Sequence, residues 1–288
     1  MKTKDWLAFI SLSLAWGSSF LWIKIAVQEI GPFLLVALRI LTGILGLLVV
    51  VAIKRPPWPS TSRQWGILAV MGMLNVALPF TLISWGQQYI DSAVTSVLNS
   101  SVPIFTVLIA HFWLDDEKIT GPRAFAILLG FAGVVVLVSR DMRAGLEAGV
   151  MGQLAVLVAA IFYAVSAVFI RRHGSGIDAT IKSIGPLLFA DAALWIATPM
   201  VESPVTLPSL PLTWAAILWL GIIGSCIAYL LYFYLITSIG ATRSTMVVYT
   251  FPVVGVILGV LFLGEVLDGS LMLGGGLAIA SIILINRK

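Results

Sequence analysis

Polar and aromatic side chains set inside long apolar runs are the groups of this chain that can do chemistry. Ser92, Ser96, Asn99 and Ser100 recur at spacings that a helix gathers on one face, and Pro103 follows them. Thr242, Thr245 and Tyr249 repeat that pattern ahead of Pro252. In hydrocarbon such groups go unsatisfied unless they face water, solute or one another, so the two stripes read as walls of a wet cavity. The competing reading is that the hydroxyls bond back to carbonyls of their own helix, as Ser and Thr commonly do. Each proline removes one backbone hydrogen bond and can leave a carbonyl to solute or water, which makes Pro79, Pro103 and Pro252 candidate kinks.

Trp16, Phe80, Tyr163 and Tyr229 add large flat surfaces able to stack on an apolar or aromatic solute, and Asn75 adds an amide. Ser19 and Ser166 lie three residues beyond Trp16 and Tyr163. Trp22, Trp85 and Tyr234 sit nearer helix ends, where interfacial belts favour Trp and Tyr. Asp191 is the one carboxylate near the middle of an apolar run, so it is a candidate proton carrier or a partner for a solute amine; pairing with a neighbouring helix is its plain alternative. His111 and His173 are too few and too far apart for a metal or proton-relay motif, and Cys226 is alone. The chain therefore calls for no cofactor and no metal.

The surroundings of these residues are almost wholly apolar. Hydrophobic residues make up 60% of the 288 positions and charged ones 10%, against roughly 25% charged in soluble domains. No water-soluble fold of this length hides so much apolar surface. Breaking the runs at charged, Gly/Pro and polar clusters predicts ten helices, near 5–27, 33–53, 64–86, 91–113, 122–139, 150–171, 181–200, 213–236, 242–263 and 269–286. The fold class expected is all-α integral membrane, with the lipid bilayer as partner and no room for a catalytic domain outside it.

With the N-terminus inside, the inner segments hold Lys2, Lys4, Lys54, Arg55, Arg63, Lys118, Arg123, Arg171, Arg172, Lys182, Arg243, Arg287 and Lys288, whereas the outer loops hold only Arg140 and Arg143. Positive residues in short loops stay cytoplasmic, so both termini are expected in the cytoplasm. Lys24 and Arg39 fall near outer helix ends, where long side chains can snorkel to the interface. The net charge of +4 is explained by this topology, and no nucleic-acid partner is expected.

Displacing the sequence against itself by 149 positions brings Trp65 onto Trp214, Gly72 onto Gly221, Phe80 onto Tyr229, Pro103 onto Pro252 and Asp116 onto Glu265. A displacement of 147 places Trp16 on Tyr163, Ser19 on Ser166 and Lys24 on Arg171. Two repeats follow, 1–141 and 142–288. Each carries five spans, an odd number, so the second must enter the bilayer from the opposite face, an arrangement that puts a solute site near the midplane of secondary transporters. Gly255 and Gly259, matched with Thr106 and Ala110, predict close helix crossings.

The Trp16-Gly17-Ser18 turn, Lys24, Pro32 and Arg39, with the units Pro103…Asp116-Glu117 and Pro252…Gly264-Glu265, resemble the EamA family of the drug/metabolite transporter superfamily. The likeness covers essentially the whole chain as two copies. It implies a ten-helix 5+5 fold and export of small metabolites across a bacterial inner membrane, with YddG-type exporters of aromatic and other amino acids as the nearest group; the chain would act as a monomer or homodimer. Asp115-Asp116-Glu117 departs from the usual Gly-Glu pair of that family. The small four-helix relatives of the superfamily carry a coupling glutamate in their first helix, and the first span here has none in its middle, which leaves facilitated diffusion or exchange open. The alternatives are a drug or nucleotide-metabolite exporter of the same fold, an intramembrane enzyme, or a passive channel. No Gly-x-x-x-x-Gly-Lys-Ser/Thr stretch is present to hydrolyse ATP.

Overall fold

A computed structural model describes residues 2–115, 117–240 and 244–285, apart from the side chains of Phe233 and Thr245. Asp116, Thr242, Arg243, Arg287 and Lys288, which entered the repeat, stripe and charge arguments, lie outside the described residues, as does the Thr245 side chain.

Ten apolar helices carry the chain: α1 (Thr3–Ala26), α2 (Pro32–Lys54), α3 (Ser62–Gly86), α4 (Ser92–Trp113), α5 (Gly121–Arg143), α6 (Glu147–His173), α7 (Ala179–Val201), α8 (Pro211–Ile239), α9 (Met246–Leu263) and α10 (Gly269–Ile285). At 1.5 Å per residue, the 23 residues of α2 reach about 34 Å, enough for a hydrocarbon core of ~30 Å. The 17 residues of α10 are fewer; that helix lies along α5 for most of its length. Ten crossings bring the start of α1 and the end of α10 to one face of the bundle, called here the terminal end. The turns after α1, α3, α5, α7 and α9 lie at the opposite, loop end.

Helix ends are tied down by chemistry visible in the residues. Thr61 accepts from the Gln64 N–H at the start of α3, and Asp178 accepts from the Thr180 N–H at the start of α7. Two carboxylates cap helices far from their own. Glu202, beyond α7, takes the Phe33 and Leu34 N–H groups at 2.7 and 3.0 Å. Glu265, beyond α9, takes those of Ser92 and Ala93 at 2.7 and 2.9 Å. A negative charge at a helix N-terminus meets both orphan donors and the positive end of the dipole.

The main packing partners of each helix come from the other five. Helix α2 lies on α7, α4 on α9 and α5 on α10, and these pairs map onto themselves when the two sets of five are exchanged. The pairs α1 with α8 and α6 with α3 map onto each other, as do α2 with α8 and α7 with α3. That pattern is the pseudo-twofold expected of two inverted five-helix repeats. Close approach at two of the self-mapping pairs rests on glycine. A Cβ on Gly133 of α5 would stand 2.7 Å from the Gly274 carbonyl of α10, and one on Gly255 of α9 would stand 2.4 Å from Ser96 of α4.

Four of the helices are interrupted along their length, and a fifth has an irregular entry. Ser18 divides α1, and Ser100 and Ser101 divide α4 one residue before the Val102-Pro103 pair. The chain widens to π-helix over Met73–Ala77 in α3 and Trp219–Ile227 in α8, and tightens to a 3-10 helix over Thr245–Thr250 just before Pro252. The expected continuous helix from 242 is thus replaced by a 3-10 entry to α9, because Pro252 withholds the N–H that α-helical bonding needs there.

Candidate functional site

The interruptions surround a cavity of about 270 Å³ between the two sets of five helices. This is room for one small metabolite. Helices α1, α2, α3, α4, α6, α8 and α9 and the turn before α9 supply its walls. Pro79, Pro103 and Pro252 lack the N–H that would bond the carbonyls of Asn75, Asn99 and Val248, four residues back, and all three of those residues line the cavity. The Val248 carbonyl accepts instead from the Phe251 N–H.

One wall is an aromatic box. The Trp16 indole packs edge-on against Tyr229 and Phe251, with centroids 6.1 and 6.3 Å away, and tilts onto Tyr232 at 5.4 Å. Its N–H donates to the Gly224 carbonyl at 3.0 Å, inside the π-helical stretch of α8. That bond fixes the ring, so the face left to the cavity is rigid and apolar. Asn75 donates to the Tyr229 hydroxyl at 3.5 Å. Asn99 keeps its Oδ1 without a partner among the described residues.

Arg39 corrects an expectation. It does not snorkel to the interface; it is 5% exposed and lines the cavity. It stands seven residues into α2, and the packing of α7 and α8 on α2 closes its way out. Its guanidinium carbon lies 4.0 Å from the centre of the Phe80 ring, and Nε reaches the Ser225 hydroxyl at 3.4 Å. Phe80 in turn meets Tyr163 edge-on at 6.4 Å. No carboxylate pairs with Arg39 among the described residues, and it is the one charged residue of the cavity wall. A cation over a ring gains about 0.5–2 kcal/mol, whereas desolvating a guanidinium costs several, so Phe80 and Ser225 offset only part of that burial.

Lys24 also departs from the snorkelling expectation. Its ammonium donates to the carbonyls of Gln87 and Ile90 at 2.8 and 2.9 Å, where α3 ends, and the Gln87 amide donates back to the Phe20 carbonyl at 3.1 Å. These bonds lie one residue beyond Ile23 and four beyond Ile83, the cavity residues nearest the loop end. Glu29 of the first loop accepts from the Ser209 and Leu210 N–H groups there, and Arg140 pairs with Asp268 at 2.7 Å. Towards the terminal end the lining continues to Ser244, before the first residue of α9. At that end Asp5 receives the hydroxyls of Tyr234 and Ser238, Glu117 pairs with Arg171, and His111 accepts from the Ile119 N–H.

The residues named from sequence divide by this geometry. Trp16, Ser19, Asn75, Phe80, Asn99, Tyr163 and Tyr229 come together on the cavity wall. Ser96, Ser100, Ser166 and Tyr249 are not among its lining. The Ser96 and Ser100 hydroxyls turn back to the Ala93 and Val97 carbonyls at 2.7 and 2.6 Å, and Ser96 fills the space over Gly255. For these two the back-bonding alternative is what the structure has, since the α4–α9 crossing leaves no cavity on that face. Asp191 is 9% exposed on α7, away from the cavity, with Oδ1 lacking a partner. Arg39, Tyr232, Ser244 and Phe251 were not singled out as site residues. For Arg39 the signal was present: seven residues inside an apolar run is too deep for an easy escape to the interface.

Residues 4–139 and 150–287 each match the EamA-like transporter family. Over 284 residues the chain is 26% identical to the uncharacterized transporter YoaV of Bacillus subtilis, covering 98% of this chain and 96% of that one. It is 28% identical over 285 residues to the uncharacterized inner membrane transporter YedA of Escherichia coli K12, covering 97% and 89%. An uncharacterized transporter of Archaeoglobus fulgidus is 27% identical over 297 residues, covering 100% and 99%. A solved crystal structure shares the fold with a TM-score of 0.68, 21% identity and coverage of 99% and 98% of the two chains. With ten apolar helices, a cavity between two sets of five, and both sets matched separately, the chain belongs to the EamA-like transporter family of multi-pass membrane proteins.

Proposed function

We propose that the chain is a secondary exporter of small metabolites, and that its solutes are aromatic or neutral amino acids, as in YddG-type exporters. The observation that carries this reading is the cavity between the two sets of five helices, where the Trp16, Tyr229, Tyr232 and Phe251 rings face a space also bordered by the amides of Asn75 and Asn99. Transport proceeds by alternating access: segments 1–141 and 142–288 rock about the cavity, and Pro79, Pro103 and Pro252 lie where the helices bend. Lys24 and Gln87 bond across the loop end in the state described, which supports entry from the terminal end. The distribution of Lys and Arg supports an inner-membrane orientation with that end cytoplasmic, so this state loads solute from inside the cell.

Solute counterflow tests it. Proteoliposomes preloaded with an unlabelled amino acid should accelerate uptake of the same labelled one, saturably, and a competition panel of amino acids, nucleosides and cationic drugs should rank the aromatic and neutral amino acids first. Unsaturable flux without exchange would replace the carrier by a pore, and preference for nucleosides or drugs would replace the solute class.

A further inference from the structure

The carrier reading leaves one group of the cavity without a role. Arg39 is buried, charged and aimed at an otherwise neutral wall, with a single long hydrogen bond to Ser225 and a ring face on one side. A guanidinium presents five N–H donors in a planar fork matched to a carboxylate. In a membrane interior a cation so placed wants an anion, and none of the described side chains supplies one.

We propose that the transported solute carries a carboxylate and that Arg39 is the group that receives it. This rests on the carrier reading above and narrows it. The wall bears one positive charge, so a single carboxylate supplies the counter-charge it lacks, whereas a phosphate monoester near its second ionisation brings surplus negative charge into an apolar site. The aromatic box around Trp16 takes the side chain. The solute is thus held with its carboxylate on Arg39. It also removes the cost of the buried cation, so the loaded protein is more stable than the empty one.

The test uses the purified full chain in detergent, with thermal unfolding as readout, and L-phenylalanine and L-leucine as probes beside their amides, their decarboxylated amines, 3-phenylpropionate and phenyl phosphate. The two amino acids should raise the unfolding midpoint, saturably, at concentrations at least tenfold below those the amides or amines require. In Arg39→Gln that preference should disappear, and Arg39→Lys should keep part of it. The solute series on the unaltered protein decides the matter even where an Arg39 variant fails to fold. Equal response to acid and amide, with saturable counterflow of the amino acids, overturns the carboxylate contact and leaves the carrier standing. A stronger response to phenyl phosphate overturns it in favour of a phosphate ligand. No response to any probe, together with no saturable counterflow, overturns both this assignment and the amino-acid reading.

Discussion

The guanidinium of Arg39 lies 4.0 Å from the ring centre of Phe80, and Phe80 meets Tyr163 edge-on, so a cation on α2, a ring on α3 and a phenol on α6 form one continuous contact across the cavity. Phe80→Leu removes the cation–ring contact and the aromatic edge together. It should lower stability by about 1–2 kcal/mol, read as a drop in the unfolding midpoint. A midpoint equal to that of the unaltered chain would show that Arg39 is held by something else.

Neighbouring polar residues of α4 should separate in their effects. Asn99 faces the cavity, so Asn99→Leu should abolish counterflow while the folded yield stays normal. Ser96 packs on Gly255, and Ser96→Leu should instead lower the folded yield through overpacking, by about 1–3 kcal/mol. Gly255→Leu should match Ser96→Leu, and Gly276→Ala, which meets nothing within 4 Å, should be neutral. Size-exclusion yield beside counterflow in the same preparations checks the contrast. Loss of transport at full yield in Ser96→Leu would put the cavity wall on that face after all.

Lys24 tests the closure of the loop end. Replacing it by Met removes two hydrogen bonds to carbonyls of the turn that follows α3. In a background with Cys226→Ser and Ile23→Cys, a membrane-impermeant maleimide applied at the loop face should react several-fold faster when Lys24 is Met than when it is Lys. Equal rates would mean that the Gln87 to Phe20 bond and the surrounding rings suffice without the ammonium.

Two carboxylates that cap distant helices should behave alike. Glu202→Gln and Glu265→Gln keep the shape and lose the charge at the starts of α2 and α4. Each should cost about 0.5–2 kcal/mol, and the pair should be roughly additive because no contact is shared. Thermal unfolding of the two single variants and the double variant measures this. A loss confined to one position would break the equivalence.

Asp191 is held to a narrower role. It lies away from the cavity wall, so any part in coupling acts through α7 and not through the solute. If Asp191 couples protons, Asp191→Asn should remove accumulation driven by a pH gradient yet spare exchange, as uptake with and without an imposed gradient would reveal. Unchanged gradient dependence would leave Asp191 a packing residue.

Much of the fold was legible because the bilayer demands long apolar runs and helices end where those runs do. The predicted span at 33–53 is Pro32–Lys54, and that at 181–200 is Ala179–Val201. The entry to α9 was not legible, since Pro252 reshapes the turn before it and hydropathy does not register bond pattern. Within the site, Trp16, Asn75 and Tyr229 were found because repeat matching and depth pointed to the same places. Ser96 and Ser100 were assigned to the cavity because helical periodicity gives a face but not what covers it. Arg39 was missed for a related reason: whether a long side chain reaches an interface depends on the neighbours packed over it, and those lie almost two hundred residues away in Ser225 and its helix.

Cross-packing of the first five helices with the last five has a consequence for how the molecule is assembled. Neither segment owns an interior: cut in the Ala144–Leu146 turn, each would present to lipid the glycine faces and capped ends that its counterpart should cover. Fragments made separately should fail to accumulate, and made together should reconstitute one another. Translation must therefore hold α1 to α5 in waiting until α6 to α10 arrive, and the pocket comes into existence only with that last docking.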